Sequence, residues 1–228
     1  MSKYVWCEDS KSGYKFWCAI FRELYPDIAV ESKGSNTGLR KAVEKTGPDQ
    51  NQYYILMDRA MDNPDVLREA KKLQEVADGK DNIHLIALHS FEASLLSFEL
   101  LEQWVFAEED ELRDQRQGVL EARVLFNKVL LSELTSDDLA TIRNTFVGYK
   151  NKNTEQIAAK LLYEITRNTG FATDKSKIGE CFINNCCEWT ARASDDICGL
   201  DDHRISSGEK ARILVERSVL NKAFEGMW

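Results

Sequence analysis

At 228 residues, with 43% hydrophobic and 30% charged side chains and only three prolines, the chain has the make-up of a soluble globular protein with a sizeable core, not of a disordered or fibrous one. Its 38 acidic and 30 basic residues give a net charge of −8, shared equally between the parts before and after Val105, which excludes a basic arm and any global attraction to nucleic acid or an anionic membrane. The opening residues lack the apolar run and cleavage site of a signal peptide, and no stretch reaches membrane-spanning length, so a cytoplasmic location with reduced cysteines is expected.

In chain order, "KYVWC" (Lys3 to Cys7) predicts a strand, "EDSKSG" a turn and "YKFWCAIFRELY" a helix. "DIAVE" predicts a second strand and "SKGSNTG" a loop, followed by the short helix "LRKAVEK" with Asn36 or Thr37 as its N-cap. "QYYILM" predicts the third strand, and Pro64 opens the helix "PDVLREAKKLQEVA" with Asn63 as N-cap. "IHLIALH" (Ile83 to His89) predicts a fourth strand, and "FEASLLSFELLEQWVF" a single apolar helix. Strands that are apolar on both faces and alternate with helices predict an α/β fold, a parallel sheet flanked by helices.

From about Phe106 only helices are predicted: "EEDELRDQRQGVLEARVLFNKVLLSEL", "SDDLATIRNTF", "NTEQIAAKLLYEITRNTG" and "SSGEKARILVERSVLNKAF". Asn153 and Gly170 mark the start and stop of the third, and Ile213, Leu214, Val219 and Leu220 form a docking stripe on the last. The expected organisation is an α/β domain over 1–105 and an α-helical region over 106–228.

Ligands collect beyond the carboxyl ends of parallel strands. Those ends carry Glu8, the Asp58 and Asp62 pair, and Glu92, hard oxygen donors of the kind that hold Mg²⁺ or Mn²⁺. Lys11, Lys33 and Arg59 share the same loops and are candidates to hold phosphate oxygens. Each acid taken singly is better explained as loop or helix-start chemistry than as a catalytic group, with the two readings about even for Glu92.

Cys181, Cys186, Cys187, Cys198 and His203 crowd into 23 residues, but their spacing matches no paired zinc pattern, and buried thiols are the expected reading. His84 lies within a strand, and His89 and His203 have no evident catalytic partner. No G-x-S-x-G, P-loop or G-x-G-x-x-G occurs.

The order "WCEDSKSGYKF", "SKGSNTGLRKAV", "MDRAMD" and "FEASLLSF" resembles a TOPRIM domain, over about Lys3 to Val105. TOPRIM is the metal-binding fold of topoisomerases, primases and several nucleases. Within it, the likeness is to the OLD-like nucleases and to the PARIS-type effectors of bacterial phage defence. Ala60 departs from the pattern by replacing its second acid. The resemblance implies an Mg²⁺- or Mn²⁺-dependent nuclease acting on RNA such as tRNA, or on DNA, controlled by an ABC-type ATPase partner, with a homodimer as a further expectation. It implies Glu8, Asp58 and Glu92 as catalytic residues, Glu8, Asp58 and Asp62 as metal ligands, and Lys11, Lys33 and Arg59 at the phosphates. The alternative, which Ala60 favours, is a catalytically inactive TOPRIM-like binding or sensor module.

Overall fold

The computed structural model describes residues 1–59, 62–106, 111–131, 136–167 and 206–227. Its centre is a four-stranded, all-parallel sheet of β1 (Lys3–Cys7), β2 (Ile28–Ser32), β3 (Gln52–Asp58) and β4 (Ile83–Leu88), ordered β2-β1-β3-β4. Helices α1 (Ser12–Leu24), α2 (Asn36–Lys45) and α3 (Pro64–Ala77) make the crossovers that parallel pairing requires. The sequence expectation of an α/β parallel sheet flanked by helices is met.

The period-two alternation of strands divides the core in two. Trp6, Tyr53, Ile55 and Met57 face α2 and α3 and pack with Leu39, Val43 and Leu73. Val5, Cys7, Tyr54 and Leu56 face the other way, onto α1 and the helices that follow β4. Asp58 has the parity of Tyr54 and Leu56, which directs it to this second face.

After β4 come α4 (Phe91–Ser97), α5 (Leu101–Val105), α6 (Glu111–Gln115), α7 (Gln117–Leu131), α8 (Ser136–Thr145), α9 (Thr154–Thr166), α10 (Ser207–Glu216) and α11 (Leu220–Ala223). Among the described residues beyond Phe106, every regular element is helical. These helices share one apolar cluster with the sheet, running from Val5 through Phe126, Ile157 and Leu214 to Met227. Phe224 sets its ring 5.4 Å from Phe21 and 6.4 Å from Trp17, and the Tyr54 hydroxyl donates to the Met227 carbonyl at 3.2 Å. No helix among the described residues is long and apolar enough to cross a membrane.

Three helices expected to be continuous are broken. The stretch after β4 divides into α4 and α5, because the Leu96 and Phe98 carbonyls accept from the buried Arg123 guanidinium at 2.9 and 2.6 Å. Arg116 interrupts the next, between α6 and α7, with its side chain buried and Nη2 donating to the Arg167 carbonyl at 3.0 Å. The last divides into α10 and α11, and the Val219 amide between them donates to Ser97 Oγ at 3.1 Å. At the first and last breaks a polar tertiary contact takes up backbone groups that helical periodicity alone would keep internal. Leu214 and Leu220 of the expected stripe are fully buried, and Ile213 packs against the same cluster.

The N-cap of α2 is Ser35, not Asn36 or Thr37, with Oγ accepting from the Gly38 amide at 3.0 Å. Asn63 caps α3 as expected, and Asn153 caps α9 in a reciprocal capping box with Gln156. Gly170, Ala60, His203 and the cysteines from Cys181 to Cys198 lie outside the described residues.

Candidate functional site

The carboxyl ends of β1, β3 and β4 open into a cavity of about 610 Å³ lined by Glu8, Asp9, Lys11, Asp58, Glu92 and Glu155, with the Ser35 loop at its edge. Parallel register brings the first two carboxyls together: Cys7 pairs with Leu56, so Glu8, just past β1, stands at the same sheet edge as Asp58 at the tip of β3. The two carboxyls lie near enough to bear on each other's ionisation.

Asp9 is placed by a close fit. Trp17 Nε1 donates to its Oδ2 at 2.9 Å, Ser32 Oγ donates to its backbone carbonyl at 2.5 Å, and a Cβ on Gly13 would lie 2.2 Å from its Oδ1. Glycine at position 13 therefore makes room for the carboxylate over the first turn of α1. Glu92 sits in the first turn of α4, where Ser90 Oγ accepts from the Ala93 amide at 3.1 Å. Glu155 enters from the first turn of α9, which packs against α4.

Burial in this cavity raises the proton affinity of Glu8, Asp9 and Asp58. Burial, then the charges of Asp9 and Glu155, push Glu8 up to about 7, although its contact with Asp58 and the Asn36 amide pull the other way. Asp58 is driven well above the usual carboxylate range by burial and by Glu8, Asp9 and Glu92. Burial and Glu155 also raise Asp9, against the Trp17 hydrogen bond. Glu8 and Asp58 are coupled, so their titrations belong to the pair and not to either residue alone.

The structure thus brings Glu8, Asp58, Glu92 and Lys11 to one cavity and leaves the other sequence candidates apart from it. Asp62 accepts from the Thr154 amide at 2.9 and 3.1 Å and pairs with Arg143, which holds it below the usual carboxylate range despite partial burial. Lys33 Nζ lies 2.6 Å from Glu31 and 4.1 Å over the Trp6 ring. Arg59 is exposed, and its amide extends the β3 to β4 ladder by donating to the Leu88 carbonyl at 2.7 Å. None of these three lines the cavity. Asp9 and Glu155 are the members that sequence reasoning missed. Glu155 follows an N-cap and a first helical residue, so in sequence it is indistinguishable from an acid favouring the helix dipole.

The other titratable candidates are inert. Cys7 is buried, and burial followed by the charge of Asp9 drives its thiol far above the range in which thiolate forms near neutral pH. Cys18 is raised as well, chiefly by burial. The His84 ring stacks on Tyr54 at 5.0 Å and bonds Gln52 at 2.6 Å, an arrangement that fixes a strand and not a nucleophile's base.

The acids lining the cavity offer carboxylate oxygens, the donor type that hard divalent cations take. Among the described residues, no group of three or more His, Cys, Asp or Glu side chains is placed so that it could hold a metal ion. No family model, curated protein or solved structure matches the chain.

Proposed function

We propose that the protein is a TOPRIM-like, Mg²⁺- or Mn²⁺-dependent nuclease with an α-helical C-terminal extension, cleaving phosphodiester bonds of RNA or DNA. The observation that carries the reading is the Glu8 and Asp58 pair, set at adjacent parallel strand ends in a cavity walled by further acids. The role as an effector of phage defence under an ABC-type ATPase comes from the sequence resemblance alone.

A bound divalent cation would supply charge stabilisation to the phosphoryl-transfer transition state. Glu8 and Asp58 would hold it, with Glu92 supporting from α4. Glu8 would serve either as a ligand to that cation or as the general acid/base toward the attacking water and leaving oxygen. Lys11, exposed at the cavity mouth, is the cation of this chain best placed for a substrate phosphate. The net charge of −8 disfavours indiscriminate binding along nucleic acid, so recognition rests on a local surface or on a partner.

The second reading, a catalytically inactive binding or sensor module, is favoured by the engagement of Asp62 away from the cavity and by the lack, among the described residues, of a group of three or more side chains that could hold a metal ion. Cleavage assays decide between them. End-labelled tRNA, single-stranded RNA, single-stranded DNA and plasmid are incubated with Mn²⁺ or with chelator, with and without a co-encoded ATPase. The nuclease reading expects metal-dependent products that Glu8→Ala and Asp58→Ala abolish. Equal cleavage by either variant removes the assignment; Mn²⁺ binding without cleavage in any arm favours the module.

A further inference from the structure

The two edges of the sheet are finished differently. β2 closes one side with Glu31 and, just beyond the strand, Lys33, which pair at 2.6 Å and put charge along that edge, a common guard against further strand pairing. β4 closes the other with "IHLIAL", which holds no carboxylate, lysine, arginine or proline and runs in unbroken register with β3. The Asn82 and Leu88 carbonyls accept from β3, from the Tyr53 amide at 2.9 Å and the Arg59 amide at 2.7 Å. By alternation the even-numbered residues of β4 bond inward and the odd-numbered ones face outward. The Ile83 amide donates to the Lys80 carbonyl at 3.1 Å, whereas the amides and carbonyls of Leu85 and Ala87 have no hydrogen-bond partner among the described residues.

A second cavity, of about 730 Å³, runs along this edge and shares no lining residue with the one at the strand ends. Five consecutive residues line it, from Leu85 to His89. A hollow over one face of a sheet would be lined by alternate residues, so this is a slot beside the strand. The corner between α10 and α11 walls it, with Leu130 of α7, Val219 and Ala223 as apolar lining. Glu99 and Arg217 in the lining pair with each other at 3.1 Å, and Glu216 is held by Arg212 at 2.7 Å. Lys222, exposed on the same wall, has no acidic partner among the described residues.

We propose that this slot binds an extended peptide segment of a partner protein as a fifth strand of the sheet, with an acidic side chain for Lys222 and apolar side chains toward Val219 and Leu130. The added strand takes up the free amides and carbonyls of Leu85 and Ala87, as strand addition to an open sheet edge does. At about 3.3 Å per residue the slot accepts about five residues of the partner. A second copy of this chain suits it less. Antiparallel pairing of β4 with β4 has its twofold axis perpendicular to the sheet, so both α10 to α11 corners would stand on one face and compete for the space beside one edge. The net charge of −8 also opposes self-association.

The probe is a random heptapeptide library displayed on phage and selected against the full chain, with the enriched peptides then synthesised. Enriched sequences should alternate apolar residues and carry Asp or Glu. Hydrogen exchange followed by NMR should slow by about tenfold or more at the Leu85 and Ala87 amides when peptide is bound, while the Val30 amide, which faces outward from β2, stays unchanged. Ala87→Pro deletes one outward amide and spares the ladder to β3, since proline is tolerated on an edge whose amide faces away, and it should weaken the peptide about tenfold. Lys222→Glu, at an exposed position, should weaken it several-fold and remove its salt dependence; this variant and the exchange measurement stand even where Ala87→Pro does not fold. No enriched peptide, unchanged exchange at Leu85 and Ala87, or parental affinity in both variants overturns the proposal. Protection of those two amides that grows with protein concentration in the absence of peptide assigns the edge to a second copy and overturns the partner.

Discussion

Replacing Glu8 by glutamine removes one ionisation while keeping the shape of the side chain and an oxygen for the Asn36 amide. Burial and the acids around it hold Glu8 at about 7 in place of its ordinary 4.5. A carboxyl raised in this way stabilises the fold fully below its unfolded pKa, and that contribution is lost as pH rises through the folded value. Between about pH 4.5 and about pH 7 the parent therefore loses roughly 3 kcal/mol at this position, at about 1.4 kcal/mol for each tenfold in proton affinity, with partial water access reducing the figure. A carboxamide never ionises, so Glu8→Gln escapes the loss. For a chain of this size 1 kcal/mol moves Tm by roughly 2 to 4 °C, so in chelator at about pH 8 the variant should melt up to roughly 6 to 12 °C higher than the parent. Near pH 4 the two should coincide. Scanning calorimetry across that pH series checks this, and a Tm difference that is independent of pH, or negative above neutrality, would refute the electrostatic account of the site.

Divalent cation should act in the same pH window: Mn²⁺ at a hundredfold excess over its Kd should add about 2.7 kcal/mol near pH 8, much less near pH 5 where protons compete, and nothing in Asp58→Ala, as read by thermal shift. Gly38→Ala should destabilise by roughly 2 kcal/mol or more in urea titration, because its Cβ would lie 2.0 Å from the Lys33 carbonyl, whereas Gly47→Ala, with no atom within 4 Å, should be neutral or slightly stabilising. Phe224→Ala should cost about 3 to 5 kcal/mol by leaving a cavity against Trp17 and Phe21, measured by the same titration. Cys7 should resist iodoacetamide at neutral pH in the native protein and react once unfolded, as followed by mass spectrometry.

The sheet was legible because each strand is a short apolar run closed by turn residues, and the helix starts at Pro64 and Asn153 carry their own caps. The three helix breaks were not, because Arg116, Arg123 and Ser97 act on distant backbone groups and leave no local trace in a helical pattern. The site divides along the same line. Glu8, Asp58 and Glu92 follow from one topological rule about strand ends. Glu155 enters through helix packing across almost the whole described chain, and Asp62 reads as a strand-end acid until its partners, Arg143 and Thr154, are seen.

The contact between Tyr54 of β3 and Met227 bears on biosynthesis. Chains leave the ribosome N-terminus first, and contacts this far apart in sequence form late. While translation is under way, the sheet face carrying Val5, Tyr54 and Leu56 waits without its helical cover, and the strand-end acids wait without Glu155. A nascent chain is thus both aggregation-prone and, until α9 has been made, lacking part of its site.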